Sequence, residues 1–228
     1  LLLLLLAVLL VHVLLQRQAR WPELPYRWNP WATLRIDAAP DRFTRMRLAA
    51  LDRDPVACRA VLAQAPMRVR TLPDRITGAG CGFDNVVEIV HTSVEVGPSF
   101  SLTCRAAVSL ALWERHVLQP AALAHLGSAV SRIEHFGSYA CRNVYGRATG
   151  RRSQHATADA LDIAGFVLRD GERIRVLADW PGDGPHAAFL RTLRDGACEY
   201  FDAVLGPEYN AAHSDHFHFD RGGFRACR

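Results

Sequence analysis

Lysine is absent from the 228 residues, so arginine carries all 27 basic charges. Apart from the Arg151-Arg152 pair, these arginines are scattered singly against 23 acidic residues. A formal charge of +4 without a basic stripe excludes nucleic acid as an expected partner. The six cysteines contain no C-x-x-C pair, which argues against a zinc ribbon or a thioredoxin motif. No G-x-S-x-G occurs, so the nucleophile elbow of a serine hydrolase is missing. There is no internal repeat, and no low-complexity stretch apart from leucines at the start. Charged residues make up 22% and hydrophobic residues 50%, a balance that excludes a disordered tail protein or a coiled coil. What is present is a globular chain long enough for one sizeable domain with appendages.

Residues Leu1 to Leu15 are apolar except for His12, and as a helix they reach only ~22 Å against a hydrocarbon core of ~30 Å. The run is expected to be the remaining part of a signal peptide or signal anchor over residues 1–20. Gln16, Arg17, Gln18, Ala19 and Arg20 offer no small-residue cleavage site, which favours an uncleaved anchor and membrane tethering. Residues 21–40 hold Pro22, Pro25, Pro30 and Pro40 with Trp21, Trp28 and Trp31, a proline density that blocks regular structure and predicts a linker. Those tryptophans suit either a membrane interface or packing on a folded domain. Residues 41–228 are the expected domain.

Within it, Leu48 and Leu51 share a helical face. Asp54 followed by Pro55 then marks the start of a second short helix. Met67 to Leu72 and Asn85 to Val96 predict strands or a hairpin, broken by Gly78, Gly80 and Gly82. The apolar spacing predicts a helix over Ser101 to Leu118, a short strand at Ile133 to Phe136, and a last helix from about Pro185 to Leu205. Helices followed by short strands interleaved with helices indicate an α+β fold with a small antiparallel sheet and flanking helices.

Three of the ten histidines, His213, His216 and His218, fall within six residues. On a strand His216 and His218 point to one face and Phe217 and Phe219 to the other, which presents two imidazoles together above a core-facing aromatic pair. Upstream, Ser153-Gln154-His155-Ala156-Thr157-Ala158-Asp159-Ala160-Leu161-Asp162 separates a histidine and a carboxylate by small residues, where a loop feeds an apolar strand. Two histidine nitrogens and one carboxylate oxygen leave tetrahedral Zn²⁺ with an open position, as a catalytic site requires.

The two pieces together resemble the zinc peptidases that include lysostaphin, the D-Ala-D-Ala carboxypeptidases and the hedgehog signalling domain. Their S-x-H-x-x-G-x-A-x-D signature is similar to Ser153 to Asp162, and their second motif to the downstream cluster. More narrowly, Gly137-Ser138-Tyr139-Ala140-Cys141-Arg142, Ser153 to Ala156, Asp162 to Phe166, Val204 to Pro207 and His216-Phe217-His218 resemble the bacterial extensin-like C-terminal domain family.

That resemblance implies a hedgehog/DD-peptidase-like fold and zinc held by His155, Asp162 and His218. Asp215 lies where the carboxypeptidases place a general base, and it is favoured slightly over His216, the acid/base of lysostaphin-like members. His213 is the third catalytic candidate, as an oxyanion-binding or ligand-supporting group. Arg142 and Ser153 are the substrate-binding candidates, Arg142 as a fork for a terminal carboxylate. Ala158 stands where the signature has glycine, and a backbone at φ > 0 there would strain it.

The expected activity is an exported, periplasmic zinc hydrolase cutting a peptide bond in peptidoglycan next to D-Ala. The alternative is an inactive zinc-stabilised cell-wall binding module. For the cysteines, disulfides are expected, and Cys198–Cys227 is the first pair to expect because it would fasten the final strand beside the zinc site. The oligomeric state is open.

Overall fold

A computed structural model describes residues 4–10 and 24–228. The chain divides into two compact units, residues 1–32 and 33–228. In the first, residues 4–10 are helical with exposed side chains, and Tyr26–Trp28 forms a single 3-10 turn. The expected anchor and the start of the linker fall in large part outside the described residues. Among the described residues no helix is long and apolar enough to cross a membrane.

The second unit begins with an extended segment that buries Leu34 and Ile36 in the core. Helices α1 (Thr44–Ala50) and α2 (Pro55–Leu62) follow. Asp54 caps α2 by accepting from the Ala57 amide at 2.9 Å, and Pro55 fills the first helical position, where its missing N–H costs nothing. Strands β1 (Arg68–Thr71), β4 (Val86–His91) and β5 (Phe100–Thr103) form an antiparallel sheet in the order β1-β4-β5. The glycine-broken stretch between β1 and β4 is a hairpin of β2 (Arg75–Gly78) and β3 (Cys81–Phe83).

The helix expected over Ser101 to Leu118 starts later. Phe100–Thr103 pairs with β4, and Thr103 caps α3 (Cys104–Trp113) through its hydroxyl. The apolar spacing could not separate a buried strand from the buried helix that follows it. Every α3 residue except Arg105 is buried. A π-helical turn, Glu114–Leu118, leads into α4 (Gln119–Leu126), which Gly127 ends at φ +68°.

The six-stranded sheet contains β6 (Val130–Gly137), β7 (Ala160–Leu168), β8 (Arg173–Arg175), β9 (Ala203–Leu205), β10 (Phe217–Asp220) and β11 (Ala226–Cys227). Its order is β11-β9-β10-β7-β6, with β8 also on β7; all pairs are antiparallel except β9–β11. Strand β8 approaches β7 so closely at Gly165 that a Cβ there would sit 2.5 Å from the Ile174 carbonyl oxygen.

Two helices connect β8 to β9: α5 (Val176–Asp179) and α6 (Pro185–Ala197). The last helix thus ends before Leu205. Phe201 and Val204 continue its apolar rhythm but reach the core from outside α6, Val204 as part of β9. The fold is α+β, with small, mainly antiparallel sheets and several helices.

The inner face of the larger sheet packs on α3 and α6. Trp113 meets Phe219 edge-on at 5.3 Å between ring centroids, and its Nε1–H donates to the Leu193 carbonyl at 3.1 Å. Phe189 meets Phe166 at 5.5 Å. All six cysteines are bridged: Cys58–Cys104, Cys81–Cys141 and Cys198–Cys227, the last as expected. They close loops of 46, 60 and 29 residues, and chain entropy assigns each a stabilisation of about 4 kcal/mol.

Candidate metal centre

Strand β10 shows the two-residue alternation expected from sequence. Phe217 and Phe219 are fully buried in the core, and His218 and Asp220 face the other way. In the antiparallel ladder His218 pairs directly with Asp162 of β7, so the two side chains share one face. A one-residue slip would send His218 into the core, and the Phe217/Phe219 pair opposes that slip.

His155 comes from a different kind of element, the 3-10 turn Gln154–Thr157. Ser153 caps this turn, its hydroxyl accepting from the His155 amide at 3.4 Å. Ala158 ends it at φ 56°, the left-handed conformation that glycine would adopt freely. Asp159 then pins the turn from within. Its carboxylate accepts from Thr103 Oγ1 at 2.7 Å and from Arg105 Nε and Nη2 at 2.9 Å each. Its carbonyl accepts from the Arg221 amide at 3.1 Å. The Cys81–Cys141 bridge fastens the segment that lies along the turn, where Ala140 N donates to the His155 carbonyl at 3.1 Å.

These elements bring His155, Asp162 and His218 together, with one donor atom of each inside a 4.8 Å sphere of mutual distance. His155 Nε2 lies 3.2 Å from Asp162 Oδ2 and 3.1 Å from His218 Nδ1, and His218 Nδ1 lies 2.9 Å from Asp162 Oδ1. The outer nitrogens are already held: His155 Nδ1 by the Ser138 carbonyl and His218 Nε2 by Asp220 Oδ2 at 3.0 Å. A buried set of two imidazoles and a carboxylate, each imidazole with its far nitrogen engaged, fits the donor chemistry of Zn²⁺.

Burial alone would raise the Asp162 pKa, yet hydrogen bonds from both histidines hold it well below the usual carboxylate range. Burial likewise works against an imidazolium at His218, but the hydrogen bonds to Asp162 and Asp220 outweigh it and push that pKa up to about 9. For His213 burial wins, helped by the neighbouring histidines, and its pKa drops to about 4. His213 Nδ1 is 2.8 Å from Asn210 Oδ1 and donates to it, which leaves Nε2 as an acceptor.

One side of the trio opens to a cleft of about 240 Å³. His213, His216, Ser153 and Arg142 all line it. Arg142 is exposed and makes no side-chain hydrogen bond or ion pair among the described residues. The Ser153 hydroxyl is committed to the turn. Asp215 is not part of the lining: its side chain is 45% exposed and accepts from His216 Nδ1 at 2.8 Å. His216 Nε2 faces inward, 3.6 Å from Asp162 Oδ1. Asp220, Asn210 and the cleft-lining Tyr145, whose hydroxyl accepts from Asn210 Nδ2 at 2.9 Å, were not singled out in the sequence. Asp220 had a signal, since it continues the His216, His218 alternation along one strand face.

A family model described as extensin-like protein C-terminus matches residues 56–228. The chain belongs to this family. No curated protein and no solved structure matches it. The extensin-like match spans every residue of the cleft and all three disulfides.

Proposed function

We propose that this extensin-like protein is an exported zinc-dependent hydrolase that cleaves a peptide bond in peptidoglycan, next to D-Ala, within the hedgehog/DD-peptidase-like group. The observation that carries the proposal is the His155, Asp162, His218 trio lining a cleft that a free arginine, Arg142, also lines. A purely structural metal site closes its coordination with protein ligands and needs no such cleft. Three disulfides with no free cysteine among the described residues support an oxidising compartment, hence the periplasm, and the leucine-rich start supports tethering to the membrane.

Zinc held by the trio would polarise the scissile carbonyl and make a water acidic enough to attack it. The chain's own residues supply the rest. His216, with Nδ1 held by Asp215, presents Nε2 to the cleft and is placed to take a proton from the attacking water and return it to the leaving amine. Asp215 orients that ring, so the geometry supports His216 over Asp215 as the proton carrier. Arg142 offers a fork to a substrate carboxylate. His213, neutral and with Nε2 free to accept, is placed to hold a polar hydrogen of the bound peptide.

The deciding experiment incubates the zinc-loaded full chain with purified muropeptides and identifies products by mass. Cleavage by wild type and none by His155→Ala supports the hydrolase. Full zinc loading with no cleavage across a broad muropeptide panel sinks it and favours a zinc-stabilised wall-binding module.

A further inference from the structure

The carboxylate of Asp220 is as firmly held as that of Asp162, but it faces the far side of His218. It sits two residues along β10, on the same strand face, and is only 7% exposed. Both oxygens are occupied by donors: Oδ2 lies 3.0 Å from His218 Nε2, and Oδ1 accepts from the Gly222 amide at 2.9 Å. The carboxylate therefore cannot rotate without losing a buried hydrogen bond. A metal takes the place of the proton that Nδ1 shares with Asp162, and a neutral imidazole whose Nε2–H is given to Asp220 then has its lone pair on Nδ1, the atom that faces Asp162 and His155.

The two histidines thus solve one problem in opposite ways. His155 gives Nδ1–H to the Ser138 carbonyl and turns Nε2 to the site; His218 gives Nε2–H and turns Nδ1 to it. The Ser138 carbonyl is backbone, fixed by the fold. Asp220 is a side chain, and a substitution can remove it.

We propose that Asp220 is a positioning residue that locks His218 in the form donating Nδ1 to the metal, an inference resting on the metal-centre reading above. Asparagine is the informative replacement because it keeps size while carrying one acceptor in place of two. If its oxygen meets His218, its NH₂ opposes the Gly222 amide. If its oxygen meets Gly222, its NH₂ faces His218 Nε2 and selects the tautomer with the proton on Nδ1, which cannot bind a metal there.

The test uses the full chain and zinc alone, by competition with a chromophoric chelator, together with ¹⁵N-imidazole NMR of the zinc-loaded protein. Expected are Nδ1 coordination of His218 with Nε2 protonated in wild type, and a ~10- to 100-fold loss of zinc affinity in an Asp220→Asn protein that still unfolds cooperatively without zinc. Coordination of His218 through Nε2 in wild type overturns the proposal, even if the variant fails to fold. So does an Asp220→Asn protein whose affinity stays within about twofold of wild type, and in that outcome the metal centre itself stands. Wild type that binds no zinc overturns the metal-centre reading and this one with it.

Discussion

At the β7–β10 ladder Asp162 is drawn out of water between two imidazoles, and where α3 runs into the π-helical turn Glu114 is drawn out of water with none. The Asp162 carboxyl is held far on the acidic side. Glu114 is 1% exposed, and its Oε2 accepts from the Ser93 amide at 3.0 Å and from the Ser93 hydroxyl, while Oε1 has no partner. Desolvation dominates there, and the pKa rises to about 7. Burial by itself therefore does not mark a site in this protein. A buried carboxylate becomes a candidate ligand where the sheet register brings cation-capable nitrogens to it, and becomes a pH-sensitive structural group where only hydroxyls and amides do.

The largest expected effect lies on the Asp162 side. His216→Ala should lower muropeptide turnover by ~10² to 10⁴ while zinc content is kept, and Asp215→Asn should cost far less because it only loosens the ring. Turnover measured at equal zinc loading checks this, and the reverse ranking would move the base to Asp215.

Next comes the contrast itself. Asp162→Asn should weaken zinc binding by about 100-fold or more, the upper range for losing a mere supporting partner, and Glu114→Gln should leave it unchanged. Chelator competition on both variants breaks the comparison if they behave alike.

Glu114 should instead govern stability. Its folded pKa is raised above that of an ordinary glutamate, 4.5, so its contribution is fully present below pH 4.5 and is lost as pH rises through about 7. His213 titrates with the opposite sign in an overlapping window, which makes the difference between wild type and Glu114→Gln the informative quantity. From denaturant midpoints at pH 5 and pH 8, that difference should grow in favour of the variant by on the order of 3 kcal/mol. A flat difference would mean that Glu114 is solvated.

The smallest effect is expected at Ala158. Glycine would relieve the left-handed backbone by about 1 kcal/mol but would remove a fully buried methyl worth ~0.8 kcal/mol. Ala158→Gly should shift the unfolding free energy by less than about 1 kcal/mol, and a larger stabilisation would show that the turn carrying His155 is strained beyond this residue.

Local chemistry along the chain was enough for the Asp54 cap with Pro55, the glycine-broken hairpin, the two-sided alternation of β10 and the spacing from His155 to Asp162. Each depends on a few adjacent residues and on fixed backbone geometry, so no distant contact is needed to see it. The ends of α3 and α6 were not legible. Phe100, Leu102, Phe201 and Val204 are apolar because they enter sheets or the core, and apolar spacing alone reads the same in a buried helix. The Cys58–Cys104 and Cys81–Cys141 pairings were equally closed to inspection, since six cysteines admit many partners and only the packed chain brings particular sulfurs together. Tertiary structure also decided what each polar group at the site does. The register of β10 on β7 sets His218 against Asp162, turns His216 inward and leaves Asp215 at the rim. Sequence determined which donors this protein owns; the pairing of strands, which acts over separations of 56 residues and more, determined which of them meet.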